Sequence, residues 1–241
     1  MGKRLILQRR GKGSPTFTAP ITGTAALKFI PLDEKQKTGV LKGEVIDLFD
    51  DPTKNAVVSE IVFENNLHEY VVAAEGLSVG QKVEYGKNAA LNIGNVLPLQ
   101  YILEGVPVFN IEKNPGDGGK FVRTSGLYGL VVSKEPARIF VKMPSGKLME
   151  FKPNARACIG CISGGGKREK PLVKAGKAFY ARKAKKKWFP TVRGVAMNAI
   201  DHPFGGSQHH AGKSKSTSRH AAAGRKVGAI ASSRTGRRKK N

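Results

Sequence analysis

The segment GEVIDLFDDPTKNAVVSEIVFENNLHEYVVA, residues 43–73, contains three short β-rich runs separated by the turn signals DDP and ENN. Gly43–Phe49 and Ala56–Phe63 alternate apolar with polar residues, which is the pattern of half-buried strands. Leu67–Ala73 is rich in aromatic and β-branched residues, which favours a third strand, and Gln81–Tyr85 supplies a fourth. Short strands at this spacing predict a small barrel rather than βαβ units.

A second series of short β-rich runs follows residue 98. We interpret Asn92–Pro98 as the linker between the two series, and the glycine-rich segment Pro115–Lys120 as a loop. No amphipathic pattern longer than about three helical turns stands out. The sequence therefore predicts a mainly β protein with two small barrels in tandem. The strands of the second barrel are Val106–Ile111, Tyr128–Val132, Arg138–Met143, Lys147–Phe151 and Arg156–Cys161.

Positive charge is concentrated at the two ends of the 241-residue chain. Lys plus Arg number 42 against 18 Asp plus Glu, a formal net charge of +24. Residues 31–150 hold 13 basic and 16 acidic residues, whereas residues 151–241 hold 23 basic and two acidic ones. Residues 1–30 hold six basic residues and no acid. Because such an excess attracts polyanions, we expect a near-neutral β middle between two cationic ends that have no core of their own.

Composition argues against several other classes of protein. No run approaches the roughly 18 apolar residues that a membrane-spanning helix requires. The apolar patch Leu5–Leu7 is too short for a secretory signal. Two cysteines do not make a disulfide framework and favour a reducing compartment. The sequence therefore predicts a soluble, cytoplasmic protein that binds a polyanion and has no membrane partner.

The glycine run before Lys167 is similar to a nucleotide-binding loop but lacks two required features. That loop needs a glycine five residues before Gly166, where Cys161 stands, and a hydroxyl residue where Arg168 stands. Glycines also let a backbone lie against a sugar–phosphate surface, with Lys167, Arg168 and Lys170 contacting phosphates. We favour this second interpretation, and a nucleotide hydrolase is the alternative.

Cys158 and Cys161 form a lone C-x-x-C motif. Structural zinc takes four ligands, usually from two such pairs, and the chain has no third cysteine. A thioredoxin-like redox motif would need a βαβ context, which the strand pattern does not provide. We therefore expect two buried strand cysteines and predict no metal and no other cofactor. A redox protein that uses this pair is the alternative.

Asp201 and His202 begin the segment DHPFGG. An aspartate that orients a histidine is one arrangement for general-base catalysis, but no nucleophile accompanies this pair. A turn explains the same residues, since Asp201 can cap the backbone, Pro203 fixes φ and the glycines allow the reversal. We favour the turn, and we predict that the chain has no catalytic residue and is not an enzyme.

Aromatic residues are interleaved with the cations near the C-terminal end. Tyr180, Trp188 and Phe189 can stack on bases, and Ala178–Lys187 can form a short basic helix. One cluster of lysines and arginines is usually only a solvated surface, but this excess is larger than solubility requires. Small barrels with long basic arms favour folded RNA over DNA as the partner. A DNA-compacting protein is the alternative within the binding class.

Motifs spread in order along nearly the whole chain resemble one family. Trp188–Asn198 (WFPTVRGVAMN) and Asp201–Gly206 (DHPFGG) are similar to the signature of the large-subunit ribosomal protein L2 family. The Gly2–Arg4 start and Phe204 resemble archaeal or eukaryotic members, and the modest length favours the archaeal type. The other matching segments are Lys42–Val45, Asn92–Leu99, Pro115–Lys120, Lys142–Gly146, Gly164–Lys167, Pro171–Gly176 and Gly224–Gly228.

The resemblance implies an OB-fold barrel, then an SH3-like barrel, then an extension threaded into large-subunit ribosomal RNA near the peptidyl-transferase region. It also implies roles in subunit assembly, subunit association and tRNA binding. The implied partners are that RNA, other large-subunit proteins and the small subunit across the intersubunit face. We expect a basic N-terminal arm at residues 1–30, an OB-fold RNA-binding barrel at 31–91, an SH3-like barrel at 92–165 and a basic extension at 166–241.

The candidate RNA-binding residues are mainly cations of the two ends and of the glycine-rich loops, which can neutralise phosphates. His202 matches a histidine that has been discussed as catalytic in the family, but the catalytic centre is made of RNA, so we expect an RNA contact. The full set is Lys3, Arg4, Arg9, Arg10, Lys12, Lys120, Arg123, Lys167, Arg168, Lys170, Lys174, Lys177, Arg182, Lys185, Trp188, Arg193, Asn198, His202, Arg225, Lys226 and Arg234.

Overall fold

The computed structural model describes residues 2–167 and 169–236. They belong to two compact units. Ile21–Leu172 forms the first, which we call the β unit, and Met1–Pro20 together with Val173–Asn241 forms the second, the terminal unit. Arg168, one of the candidate RNA-binding residues, lies outside the described residues.

The described residues form three α-helices and twelve strands, with single 3-10 turns at Leu99–Tyr101 and Gly194–Ala196. The helices are α1 (Ile6–Arg10), α2 (Glu34–Thr38) and α3 (Ala175–Ala184). The strands are β1 (Val40–Asp50), β2 (Val57–Phe63), β3 (His68–Val72), β4 (Lys82–Gly86), β5 (Val96–Pro98), β6 (Pro107–Phe109), β7 (Gly129–Lys134), β8 (Ile139–Lys142), β9 (Leu148–Phe151), β10 (Arg156–Ile159), β11 (Ser216–Thr217) and β12 (Ala229–Ile230).

Strands β1 to β4 form the first series of the β unit. β1 pairs antiparallel with both β2 and β4, and β2 pairs with β3. Along β1, Leu41, Gly43 and Val45 are buried, while the intervening lysine and glutamate are exposed. Gly43 lies under the ring of Phe63, so that a Cβ at this position would approach the ring to 2.8 Å. The alternation therefore predicted the strand correctly, and the glycine permits the close contact.

The short strand β5 joins the two series and differs from the prediction. Asn92–Pro98 is predicted as a linker, but its last three residues pair antiparallel with β10 and bridge in parallel to β4 through Tyr85 and Val96. Three residues are too few for an alternating pattern to mark a strand. The second series then follows in the sheet order β5-β10-β6-β7-β8-β9, and all five strands predicted for it are present.

One apolar core runs through the β unit. The rings of Phe63 and Tyr85 pack edge to face within it, with centroids 4.8 Å apart. Leu27, Phe29 and Ile30 also belong to this core, whereas the basic arm is predicted to extend to residue 30. Contacts place the start of the β unit at Ile21 instead. The difference arises because a four-residue run such as LKFI has no period that marks it as buried.

The terminal unit gathers both ends of the chain around a small apolar cluster. Leu5, Phe204 and Val227 are buried there, so the two ends share a core that neither has alone. The backbone N–H of Lys3 donates to the carbonyl oxygen of Ile200 over 2.8 Å. β11 and β12 pair in parallel. Helix α3 confirms the predicted basic helix, although it begins and ends three residues earlier.

Candidate nucleic-acid interface

The candidate RNA-binding residues are concentrated in the terminal unit. The structure describes twenty of them, and only Lys120, Arg123, Lys167 and Lys170 lie in the β unit. Five of the twenty are half-buried: Arg123, Lys185, His202, Arg225 and Lys226. The exposed ones are Lys3, Arg4, Arg9, Arg10, Lys12, Lys120, Lys167, Lys170, Lys174, Lys177, Arg182, Trp188, Arg193, Asn198 and Arg234.

Two half-buried arginines also hold the backbone in place. Arg123 donates from Nη2 to the carbonyl oxygen of Leu27 over 2.9 Å and from Nη1 to that of Gly119 over 3.3 Å. Burial lowers the pKa of Arg123. Arg225 donates from Nη2 to the carbonyl oxygen of Ser214 over 3.4 Å. Since a guanidinium has five N–H donors, these bonds fix each group and still leave donors that phosphate can use.

The loop that carries Lys120 is shaped by a buried carboxylate. Glu112 accepts hydrogen bonds from the N–H groups of Gly116 and Gly118, each over 3.1 Å. Gly118 and Gly119 have φ values of 83° and 85°, which side chains of L-residues rarely adopt. The glycines of this motif therefore fix the loop, and Lys120 follows it as an exposed cation.

Lys167 lies in a turn rather than in a phosphate loop. A nucleotide-binding loop connects a strand to the first turn of a helix. Residues 165–167 form a turn, and within the described residues the next helix is α3, which starts at Ala175. The ammonium of Lys167 donates to the carbonyl oxygen of Asn55 over 3.3 Å. The geometry thus lacks the context in which a Gly-Lys pair binds a nucleotide.

His202 lies in a hydrogen-bonded turn. Its Nδ1 accepts the backbone N–H of Phe204 over 3.0 Å, and its carbonyl oxygen accepts the N–H of Gly205 over 2.9 Å. Burial lowers the pKa of His202, which favours the neutral ring. A side chain at Gly194 would collide with the imidazole. Because Nδ1 is the acceptor, the proton of the neutral ring lies on Nε2, which is then a donor and not a base.

Helix α3 ends in a Schellman motif just before Trp188. The N–H of Lys187 donates to the carbonyl oxygen of Arg182 over 2.9 Å, and that of Lys186 donates to Lys183 over 3.0 Å. Lys186 has a φ of 50°, the left-handed conformation that glycine usually provides at this position. The chain therefore reverses directly after the helix.

A cavity of about 390 Å³ lies beside this turn, and we call it the aromatic pocket. It is lined by Pro15 and Thr16 from one end of the chain and by Phe179, Lys183 and Lys186–Phe189 from the other. The ring of Trp188 lies 6.2 Å from that of Phe17, at 35°. The guanidinium of Arg182 lies 4.8 Å from the centre of the Phe189 ring.

Of the two cysteines expected to be buried in a strand, only Cys158 is, whereas Cys161 lies after the end of β10 and is half-buried. Cys158 is buried in β10 and its Sγ donates to the carbonyl oxygen of Gly94 over 3.4 Å. Burial raises the pKa of Cys158 and of Cys161, which disfavours the thiolate that metal binding and redox exchange use. Within residues 2–167 and 169–236, no three His, Cys, Asp or Glu side chains cluster as metal ligands would. The same residues form no helix long and apolar enough to span a membrane.

Known proteins match the chain along nearly its whole length. The model of the RNA binding N-terminal domain of Ribosomal Proteins L2 matches residues 5–85, and that of the C-terminal domain matches residues 92–225. The large ribosomal subunit protein uL2 of Methanosphaera stadtmanae is 48% identical over 99% of this chain and 100% of that protein. The chain belongs to the ribosomal protein L2 family.

Two other uL2 proteins agree with this assignment. That of Methanococcus maripaludis is 49% identical over 99% of this chain and 100% of its own length, and that of Methanopyrus kandleri is 48% identical over 98% of both. The family resemblance and its archaeal type are thus confirmed. The match to the N-terminal domain contains most of strands β1 to β4 and the match to the C-terminal domain contains β5 to β10, which confirms the fold class of an OB-fold barrel, an SH3-like barrel and basic extensions.

Two groups of residues in this L2-family chain escape prediction from sequence. The first is the ion pair of Glu112 and Arg156, whose side chains are buried although single charged residues usually mark a surface. The second is the part of the aromatic pocket that Pro15 and Thr16 supply, far in sequence from Trp188. Aromatic residues among lysines indicate stacking, but only the fold reveals which residues enclose them.

Proposed function

We propose that this chain is a structural, rRNA-binding constituent of the large ribosomal subunit in the cytoplasm. It binds large-subunit rRNA near the peptidyl-transferase region and supports subunit assembly, subunit association and tRNA binding. Its partners are that rRNA, other large-subunit proteins and the small subunit across the intersubunit face. Membership of the L2 family supports these roles.

The observation that carries the proposal is the concentration of cations in the terminal unit. Sixteen of the twenty described candidates lie there. The unit contains a single acidic residue, Asp201, which lies 3.4 Å from the ammonium of Lys3. Exposed cations with one acid among them make a surface that is attracted to the phosphates of a polyanion. In our proposal, the terminal unit reaches into RNA, and the two barrels of the β unit, predicted at 31–91 and 92–165, contact its surface.

A structural role is favoured over a catalytic one. The candidate base that the sequence offers, His202, uses Nδ1 as an acceptor for the N–H of Phe204, so its Nε2 carries the proton when the ring is neutral. A general base needs an unprotonated nitrogen within reach of the substrate. The curated relatives are ribosomal proteins. We therefore propose that His202 contacts RNA and that the chain is not an enzyme.

The salt dependence of rRNA binding tests this proposal. If about six phosphates are neutralised, the logarithm of affinity should fall with the logarithm of salt concentration at a slope of about −4 or steeper. Replacing Arg4, Arg9 and Arg10 by alanine should reduce the slope by about 2, since each contact contributes roughly 0.7. Replacing three exposed lysines of the β unit, Lys35, Lys37 and Lys147, removes the same charge and should change the slope less.

A slope near −1, or equal changes in the two triple variants, would contradict the proposal that the terminal unit provides the affinity. A DNA-compacting protein is the remaining alternative. It would bind duplex DNA as tightly as an rRNA fragment at matched salt, whereas we expect preference for the rRNA fragment. Co-sedimentation with large subunits at moderately high salt is the matching measurement on the assembled particle.

A further inference from the structure

We propose that the aromatic pocket of the terminal unit binds a single unpaired nucleotide of RNA. The base would stack against the aromatic wall, and the flanking phosphates would pair with the lysines at the rim. This inference rests on the proposed rRNA-binding function. It adds a contact to a base, whereas the cations described above contact phosphates.

The aromatic wall is the first observation that supports the proposal. Trp188 and Phe179 each keep 43% of their surface exposed, although both line a cavity. The pocket volume of about 390 Å³ lies within the range of roughly 300–1,000 Å³ that is usual for sites of small ligands. Bases that are not paired stack on such aromatic faces, and any base can do so because each has a π face.

Charge identifies the ligand as an anionic one. Lys183, Lys186 and Lys187 line the same cavity, and none of its lining residues is acidic. An apolar peptide or an acyl chain would leave these ammonium groups without counter-charges. A nucleotide satisfies both halves of the site, since it presents a flat base to the rings and phosphates to the ammonium groups.

The backbone at Lys186 supports a role for its charge. Its φ of 50° is a conformation that glycine adopts without steric cost and lysine does not. The hydrogen bonds of the Schellman motif use only the backbone of this residue. Lys186→Gly therefore removes the cation and relieves the backbone, so it separates loss of binding from loss of folding.

The single tryptophan of the chain lies in the pocket, so its fluorescence reports on the site directly. The experiment titrates the full-length protein with a short single-stranded RNA, with an oligonucleotide of equal length whose residues are all abasic, and with inorganic polyphosphate. Binding of each RNA is followed independently by the anisotropy of an end label. We expect the ordinary RNA to quench the fluorescence of Trp188. The abasic oligonucleotide and the polyphosphate should bind and leave the fluorescence nearly unchanged.

Matched variants locate the effect. Phe179→Ala removes part of the wall and should weaken RNA binding about tenfold, within the range for loss of one stacked base. Lys186→Gly should retain the helical circular dichroism of the protein and require several-fold more RNA for the same quenching. Lys213→Ala removes one exposed cation that does not line the pocket. RNA should quench the Trp188 fluorescence of this variant as it does that of the parent protein.

The outcomes distinguish a failure of the pocket proposal from a failure of the proposed rRNA-binding function. RNA that changes the label anisotropy without quenching Trp188 would overturn the pocket alone, as would equal quenching by the abasic oligonucleotide or by polyphosphate. Equal behaviour of Lys186→Gly and Lys213→Ala would also overturn it. No change in anisotropy with any RNA would overturn the RNA-binding function and the pocket together.

Discussion

The carboxylate of Glu112 and the guanidinium of Arg156 form an ion pair that is closed to solvent. Oε1 of Glu112 lies 2.8 Å from Nη2 and 3.2 Å from Nε of Arg156, and the two side chains are 0% and 3% exposed. Arg156 also donates from Nη1 to the carbonyl oxygen of Ile30 and to Oε1 of Gln36, both over 2.9 Å. The pair therefore ties the segment before β1 to the second series of strands.

Loss of one partner of this pair should destabilise the β unit strongly. Arg156→Met leaves the carboxylate of Glu112 buried without its counter-charge, which costs about 3–5 kcal/mol in the free energy of unfolding. Urea unfolding followed by circular dichroism measures this loss. Arg138→Met is the matched control, because Arg138 and Glu150 form an exposed pair worth at most about 1 kcal/mol. Similar losses of unfolding free energy in the two variants would contradict the claim that burial makes the Glu112–Arg156 pair essential for stability.

Glu69 should make the stability of the β unit depend on pH. Burial is the main cause that raises its pKa to about 8, from a reference value of 4.5. Its carboxyl group accepts hydrogen bonds from the N–H of Ile30 and the hydroxyl of Tyr85, each over 3.1 Å. Between these two pKa values the unfolded chain releases the proton that the folded chain keeps. The contribution of Glu69 is therefore complete below about pH 4.5 and lost as pH rises through about 8.

The variant Glu69→Gln isolates this effect, because glutamine imitates the protonated acid and does not titrate. Urea midpoints of the parent protein and the variant should be compared at about pH 5 and about pH 9. We expect the variant to gain stability relative to the parent protein as pH rises. A difference between the two proteins that stays constant with pH would mean that the pKa of Glu69 is the same in the folded and unfolded states.

Local alternation of apolar and polar residues predicted most of the strands. The features that it did not predict depend on pairing between residues far apart in sequence. Alternation marks β1 because burial along it changes at every residue from Leu41 to Val45. Strand β5 was not predicted, because three residues are too few to show an alternating pattern and its partner β10 lies far along the chain. The burial of Arg156 was not predicted for a similar reason, since its ion-pair partner Glu112 is 44 residues away in sequence. The exposed cations of the candidate interface were predictable from composition, whereas the contribution of Pro15 to the aromatic pocket required the fold.

Limited proteolysis of the free protein should remove the ends and leave a fragment close to residues 21–172. Among the described residues of the terminal unit, the buried apolar cluster consists of Leu5, Phe204 and Val227, far fewer than the core of the β unit contains. Each buried side chain contributes about 1.5–3 kcal/mol, so this small cluster should let the terminal unit open locally more often than the β unit does. Mass spectrometry of the fragments should place the N-terminal cut before Leu27, because Leu27–Ile30 lies in the core. Ends that survive as long as the β unit without RNA would contradict this, and an rRNA fragment should protect them.

Substitutions at His202 distinguish a structural turn from a general base. His202→Ala removes the acceptor for the N–H of Phe204, so the turn should loosen and fewer complete large subunits should assemble. His202→Asn keeps an acceptor oxygen near the position of Nδ1 and should assemble better than the alanine variant. Subunits that do assemble with either variant should form peptide bonds at near-normal rate. The measurement is the rate of peptide-bond formation per purified, assembled subunit. Normal assembly combined with a rate at least about a hundredfold lower in both variants is the result expected of a general base, and it would overturn the structural role.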